Sequence, residues 1–267
     1  MKINTSILLA AFRTYFRNIK GRKFEPEILF LKNILNKGDV CFHIGASDAR
    51  HSYVMSKLIG KEGQIYAFEP SSHSYGHLVL MGKLHNIKNL HTYNLAVSDK
   101  ASTVCLVTPE KSTGHAGRSF AYITETHQSD IKRADIKADK FIKEEVKSVS
   151  VDNFVSDNNI TKVDFIRCDT EGSEMLIING AIKTIEKHKP NLLIEIHSDA
   201  LKEVFNSSAS EASGFLFNLG YHMFREDDGV IHQVTRVDEK EKWKDYFFIH
   251  ADRISNLPEG PFRKLLD

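Results

Sequence analysis

Cysteine is scarce. Cys41, Cys105 and Cys168 are the only three in 267 residues, and each sits in an apolar run with no metal-ligand spacing. This excludes a disulfide scaffold and a zinc ribbon; the three read as small buried hydrophobes in a reducing, cytoplasmic setting. An excess of one charge is also missing. Lys and Arg total 36 against 35 Asp and Glu, so the basic stripe that a nucleic-acid backbone demands is absent and no nucleic-acid partner is expected. No apolar run approaches the ~20 residues of a membrane span. The short run at 7–12 leads into Arg13, Arg17 and Lys20 rather than a cleavage site, which argues against a signal peptide. Internal repeats and low-complexity tracts are lacking too.

What the chain does carry is a strongly patterned alternation of strands and helices. Its centre is VDFIRCDTEGSEMLIINGAIKTIEKHKPNLLIEIH, over 163–197. An apolar run stops at Asp169. Met175, Leu176, Ile178, Ile182 and Ile185 then share one helical face, and Pro190 closes that helix. A second apolar run carries Glu195 and ends at His197. Strand, helix and strand in one compact unit form a right-handed crossover in a parallel sheet. Open parallel sheets place their chemistry beyond the carboxyl ends of the strands, so Asp169, Glu171, Glu195 and His197 are expected along one rim. Glu174 reads as a helix-surface or scaffold residue.

Upstream, apolar runs at 40–44, 64–68 and 90–94 alternate with helical patterns at 52–59 and 74–84, the left half of a doubly wound sheet. An extended segment follows at 102–107. From 108 to 147 the pattern weakens into glycines and then dense charge, which predicts a lid or acceptor loop with His115, Arg118 and Tyr122 as candidate substrate contacts. Asp152 is a candidate cap for a short helix to Asn158. A helical stretch at 199–219, with an interruption near 206–210, precedes strands at 222–225, 230–237 and 246–250 that suit an antiparallel finish. The length fits one domain over 39–267 behind an N-terminal helical extension over 1–38. In that extension, Ile7, Leu8, Ala11, Phe12, Tyr15, Phe16 and Ile19 share a face opposed by Arg13, Thr14, Arg17 and Asn18. The apolar face is expected to pack on its own domain or on a partner subunit, making a homodimer through this helix reasonable; membrane-surface contact is the alternative.

A glycine turn straight after the first strand lets backbone N–H groups approach a ligand closely. Gly45 supplies that turn, and Glu69 stands at the tip of the second strand, where a carboxylate can accept hydrogen bonds from both hydroxyls of an adenosine ribose. A dinucleotide site would need further glycines to admit a pyrophosphate, but Ser47 and Ala49 stand at those positions. The turn suits a nucleoside ligand without phosphates, such as S-adenosylmethionine, and disfavours an NAD-type oxidoreductase.

These residues carry a family resemblance. VCFHIGASDARHS, IYAFEPSSHSY, NLAVSD, SVSVDNF, VDFIRCDTEGSEMLIINGA and LLIEIH resemble successive blocks of the FkbM-type S-adenosylmethionine-dependent methyltransferases, over roughly 40–250 with 108–147 poorly matched. The resemblance implies a Rossmann-like α/β fold: a doubly wound, mostly parallel seven-stranded sheet with an antiparallel C-terminal finish. It also implies cofactor contacts from His43, Gly45, Ala46, Ser47, Glu69, Pro70, Ala96 and Val97, with Asp169 near the methionine end. His43 stands where the family commonly has Asp, Ser47 where Asn is common and Ala49 where Gly is common. His43 therefore weakens the expected charge contact from that position, and Ala49 fits freely only if its φ is negative.

Methyl transfer from a sulfonium to a hydroxyl depends on positioning and on removing the acceptor's proton. His197 is the preferred base, because an imidazole titrates near neutral pH, with Asp169 or Glu195 orienting it or taking the proton directly; Glu171 is a candidate substrate contact. Two carboxylates and a histidine could also hold Mg or Mn, although no metal ligand is assigned. An O-methyltransferase acting on a small-molecule or glycan hydroxyl is expected, and a non-catalytic adenosyl-binding module is the alternative.

Overall fold

The computed structural model describes residues 5–19, 25–110, 120–125, 133, 136–238, 240–257 and 262–263. The chain begins with α1 (Thr5–Ile19) and α2 (Pro26–Phe30), then runs β1 (Val40–Ile44), α3 (Arg50–Ile59), β2 (Gln64–Phe68), α4 (Ser72–Leu84) and β3 (Leu90–Tyr93). Next come β4 (Ala96–Val97), β5 (Ser102–Glu110), β6 (Tyr122–Glu125), β7 (Lys140–Val149) and α5 (Val151–Asp157). The central crossover is β8 (Phe165–Cys168), α6 (Glu174–Asn179), α7 (Ile182–His188) and β9 (Asn191–His197). Helices α8 (Ser198–Phe205) and α9 (Ala209–Asn218) lead to β10 (Tyr221–Asp227), β11 (Val230–Val234), β12 (Trp243–His250), α10 (Ala251–Ile254) and β13 (Phe262–Arg263).

The main sheet has nine strands in the order β13-β11-β10-β12-β9-β8-β1-β2-β3. Strands β3, β2, β1, β8 and β9 are mutually parallel, and β12 runs antiparallel between β9 and β10. The doubly wound sheet with an antiparallel finish is therefore present, but it exceeds the seven strands expected. The addition is at one edge, where Asp228 (φ 52°) and Gly229 (φ 81°) close a two-residue hairpin between β10 and β11, the turn whose twist matches paired strands. Parallel strands must be covered on both faces. Phe42, Ile166 and Ile194 face one layer with α5, α6 and α9, while Cys41, Phe165 and Leu193 face another with α3, α4 and residues of the N-terminal helices. The N-terminal segment is thus built into the core.

Three further expectations are corrected. The region 108–147 is not a continuous loop: β5 continues to Glu110 and pairs antiparallel with β7 from Ser102↔Ser148 to Glu110↔Lys140, in a second sheet ordered β4-β7-β5-β6. Of the charges that suggested a loop, Lys140, Lys143, Glu145 and Lys147 lie on exposed positions of β7. The helix after Asp169 is two helices, α6 ending at Asn179 and α7 starting at Ile182; between them Gly180 packs so closely that a Cβ would lie 2.1 Å from the Ser98 carbonyl oxygen. Asp152 does cap a helix, but it is α7: its carboxylate accepts from Lys183 N–H at 3.0 Å and Thr184 N–H at 2.8 Å. Ser150 caps α5 instead. No helix among the described residues is long and apolar enough to cross a membrane.

Candidate active site

At the C-terminal rim, Gly45 takes φ 80°, and a Cβ there would lie 1.8 Å from the Asp169 carbonyl oxygen. Only glycine lets the ends of β1 and β8 approach this closely. The turn then delivers the Ser47 N–H to Glu69 Oε2 at 2.9 Å, while the Ser71 N–H reaches Oε1 at 3.0 Å. Glu69 is buried without a cationic partner among the described residues, and burial outweighs the two N–H donors to lift its carboxyl to about 7. It borders a cleft, partly open to solvent, lined also by Gly45, Ser47, Pro70, Ala96 and Val97. Leu106, Ala121 and Ile123 of the second sheet form the facing wall.

Two expected cofactor contacts are not part of this lining. Ala46 is buried behind the turn. His43 lies on the opposite face of β1 from Phe42 and Ile44, where its Nδ1 is 2.7 Å from Ser52 Oγ of α3 and burial holds it well below the usual imidazole range. The departure at Ala49 carries a cost: its φ is 62°, in the left-handed region, so the negative φ that would accommodate alanine is not adopted.

The other end of the cleft is built from charges. Asp169, Glu171, Glu195 and His197 each offer one ligand atom, all within 4.8 Å of one another. His197 Nε2 is 2.8 Å from Glu195 Oε2, and its Nδ1 is 3.5 Å from Glu171 Oε2. Glu171 (φ 58°) and Gly172 (φ 114°) form the left-handed turn that puts the Glu171 carboxylate there. Glu174 is fully buried beneath, accepting the Gly172 N–H at 3.0 Å through Oε1, so it is scaffold rather than helix surface. Burial, reinforced by Glu195 and opposed by Arg167, lifts Asp169 to about 7, and its side chain is 33% exposed. Burial also brings Glu171 to about 7 despite His197 and Arg133. For His197, burial works against the charge, but the hydrogen bond to Glu195 and the charges of Glu171, Glu174 and Glu195 prevail and lift it to about 9.

Three groups here escaped the sequence reading. Arg167, 2% exposed in β8, donates to Asp245 Oδ1 at 2.6 Å and Asp169 Oδ2 at 3.1 Å. Arg133 donates to Glu171 Oε2 at 3.0 Å. Asp245 stands opposite Glu195 across the antiparallel β9–β12 pair. Arg167 had a signal, a lone arginine inside FIRC on a buried strand; the partnerships of Asp245 and Arg133 arise from contacts between distant segments. Of the expected acceptor contacts, Glu171 lines the cleft. Tyr122 is turned the other way, 1% exposed among Cys105, Val107 and Val204 with Arg133 over its ring at 5.8 Å. Its neighbours Ala121 and Ile123 face the cleft, as strand alternation requires. His115 and Arg118 lie outside the described residues.

The metal-type donor set already has cations at hand: Arg167 on Asp169, Arg133 on Glu171 and His197 on Glu195. A divalent ion would have to displace or crowd these partners, so no step is assigned to one.

A second cavity opens behind Asp169 on the side of α2 and α3. Asp169 and Arg50 line both spaces, and Glu27, His51, Arg167 and Trp243 line the second alone. His51 Nε2 and Arg167 Nε are buried here without hydrogen-bond partners, and burial keeps His51 well below the usual imidazole range, hence neutral.

The doubly wound sheet, the single-glycine turn and the acid at the tip of β2 are the arrangement expected of the class of S-adenosylmethionine-dependent methyltransferases. Within it, the family model of the methyltransferase FkbM domain matches residues 43–223, and the chain belongs to that family. No curated protein matches the sequence. Among solved structures, the chain is similar to the methyltransferase FkbM from Methylobacillus flagellatus KT, at 12% identity and TM-score 0.50, over 85% of this chain and 50% of that one. The chain thus spans about half the length of that protein. It is also similar to a precorrin-6y C5,15-methyltransferase from Geobacter metallireducens GS-15, at 12% identity and TM-score 0.44, over 84% of this chain and 86% of that one. A SAM dependent methyltransferase from Aquifex aeolicus gives 13% identity and TM-score 0.43, over 88% of this chain and 98% of that one. At such identities the likeness to the first speaks for the fold alone.

Proposed function

We propose that the chain is an O-methyltransferase that draws its methyl group from S-adenosylmethionine and passes it to a hydroxyl of a small-molecule or glycan acceptor. The observation that carries this reading is the place of Asp169, which borders both the cleft holding the ribose acid and the cavity behind it. The cleft fits an adenosyl group because Glu69 is a buried carboxylate whose nearest fixed donors are two backbone N–H groups; each oxygen keeps a lone pair for a ribose hydroxyl. When bound, the cofactor supplies a methyl already activated on a sulfonium.

The chain's own residues then have three tasks. Trp243, 57% exposed at the second cavity, offers a flat apolar face for a sugar ring. Asp169 takes the acceptor's proton. With a pKa of about 7 it is half ionised at neutral pH and so matched to a base's work. His197 is imidazolium below about 9; in this proposal it is not the base but the charge that keeps Glu171 and Glu195 in place. The catalytic assignment therefore moves from His197 to Asp169, with Glu195 and His197 as positioning residues.

Incubation with methyl-labelled cofactor and a panel of sugar and small hydroxyl acceptors tests the proposal. Label transfer in wild type, retained with chelator and lost in Asp169→Asn, is expected. Cofactor binding with no transfer to any acceptor would favour the non-catalytic adenosyl-binding module, and transfer abolished by chelator would restore the metal.

A further inference from the structure

Helix α1 lies on the protein with its apolar side outward. At 100° per residue, Leu8, Leu9, Phe12, Phe16 and Ile19 fall within an arc of roughly 100°. All five are exposed, Leu9 at 57%, Phe16 at 55% and Ile19 at 54%. The side turned toward α4 is instead mixed, with Ile7, Ala11, Thr14 and Asn18 buried. Asn18 Nδ2 is 3.3 Å from His85 Nε2, and the Tyr15 ring rests 4.7 Å from that of His85. The expected packing of the apolar face on its own domain is therefore not what forms. A contiguous stripe of large apolar side chains marks an interaction surface rather than ordinary surface scatter.

Charge identifies the occupant. Lys2, Arg13, Arg17, Lys20, Arg22 and Lys23 are the only charged side chains before Glu25, so this segment carries six of the chain's 36 basic residues and none of its 35 acids. The remainder has an excess of five acids, although the chain as a whole is nearly neutral. An apolar stripe within such a basic segment is the pattern of a helix that lies in the plane of a bilayer, its apolar face among acyl chains and its cations on acidic headgroups. A two-fold contact between copies would place the same cationic patch on both sides, which sets like charges together. We propose that α1 is a docking surface for membranes rich in anionic phospholipid. Fifteen helical residues span about 22 Å, too short to cross, so the contact is peripheral.

Flotation of the full chain with vesicles of phosphatidylcholine alone, or mixed with phosphatidylglycerol, tests this independently of any methyl transfer. Wild type should float with the mixed vesicles at least ~10-fold more than with the neutral ones, and high salt should release it. Phe12→Glu with Phe16→Glu should lower vesicle binding ~10-fold or more, with unchanged circular dichroism and cofactor affinity, because both side chains are exposed. Arg13→Glu should weaken binding to the mixed vesicles alone. The proposal is overturned if wild type floats with neither vesicle, or if the double variant floats as well as wild type. It is equally overturned if wild type is a dimer that the double variant splits, without vesicle binding.

Discussion

The cleft has two acidic ends that share a pKa and little else. Glu69 and Asp169 both sit near 7 because burial disfavours their charge. Glu69 is held by neutral backbone donors, which fix its geometry and leave it free to accept hydroxyls. Asp169 is held among Arg167, Glu195 and His197, so its proton is exchanged within a network of charges. In the proposed function one end grips and the other titrates; the same pKa would serve two purposes because the partners differ.

Substitution can break this contrast. The largest effect is expected at Gly45, which joins the two ends. In Gly45→Ala the new Cβ would meet the Asp169 carbonyl at 1.8 Å, costing about 3 kcal/mol or more, so thermal unfolding should shift strongly and cofactor binding should vanish. Asp169→Asn should lower kcat by about 10²–10⁴-fold while the fold persists. The wild-type rate should rise with pH through about 7, as the carboxyl ionises, and that limb should be missing from the variant's profile. Glu69→Gln should instead weaken cofactor affinity by roughly 1.5–3 kcal/mol, seen by calorimetry, with kcat at saturation little changed. If both variants lost affinity alone, or kcat alone, the division between grip and titration would be wrong.

Two smaller effects sharpen the picture. Glu69, Asp169 and Glu171 have pKa values raised to about 7 and His197 to about 9. A raised folded-state pKa contributes stability below the unfolded value and loses it as pH rises through the folded one. The three carboxyl groups therefore lose their contribution between about pH 4 and 7 and His197 between about pH 6.5 and 9. Buried neutral His43 and His51 oppose the fall until their unfolded-state imidazoles have titrated. The apo protein's Tm should fall between about pH 7.5 and 9, through His197. A Tm that climbs over this window would mean that the charges at the rim are arranged differently. The smallest effect is Ala49→Gly, which relieves a φ of 62° and should stabilise by about 1 kcal/mol in denaturant titration.

Much of the sheet was legible because its strands are written locally. The runs ending at Ile44, Phe68, Cys168 and His197 are predominantly apolar segments, and parallel order follows from the helices between them. Asp169, Glu171, Glu195 and His197 could be placed on one rim by the same logic, since strand ends in such a sheet converge. Strand β7 was not legible. Its sequence, KFIKEEVKSV, is charged because much of it faces solvent, and its partner β5 lies far upstream. The orientation of α1 was missed for a related reason. A hydrophobic face says where apolar groups are, not whether the protein or another surface covers them.

Local pattern was enough to establish the alternating architecture, the glycine turn and the acids at the strand tips, because short-range backbone preferences and periodic burial are encoded residue by residue. The charge states were not. That His197 is held protonated and Asp169 is poised at neutrality depends on Arg167, Glu174 and Glu195 arriving from different elements. Electrostatic energies depend on distance and burial, and neither exists until the chain has folded.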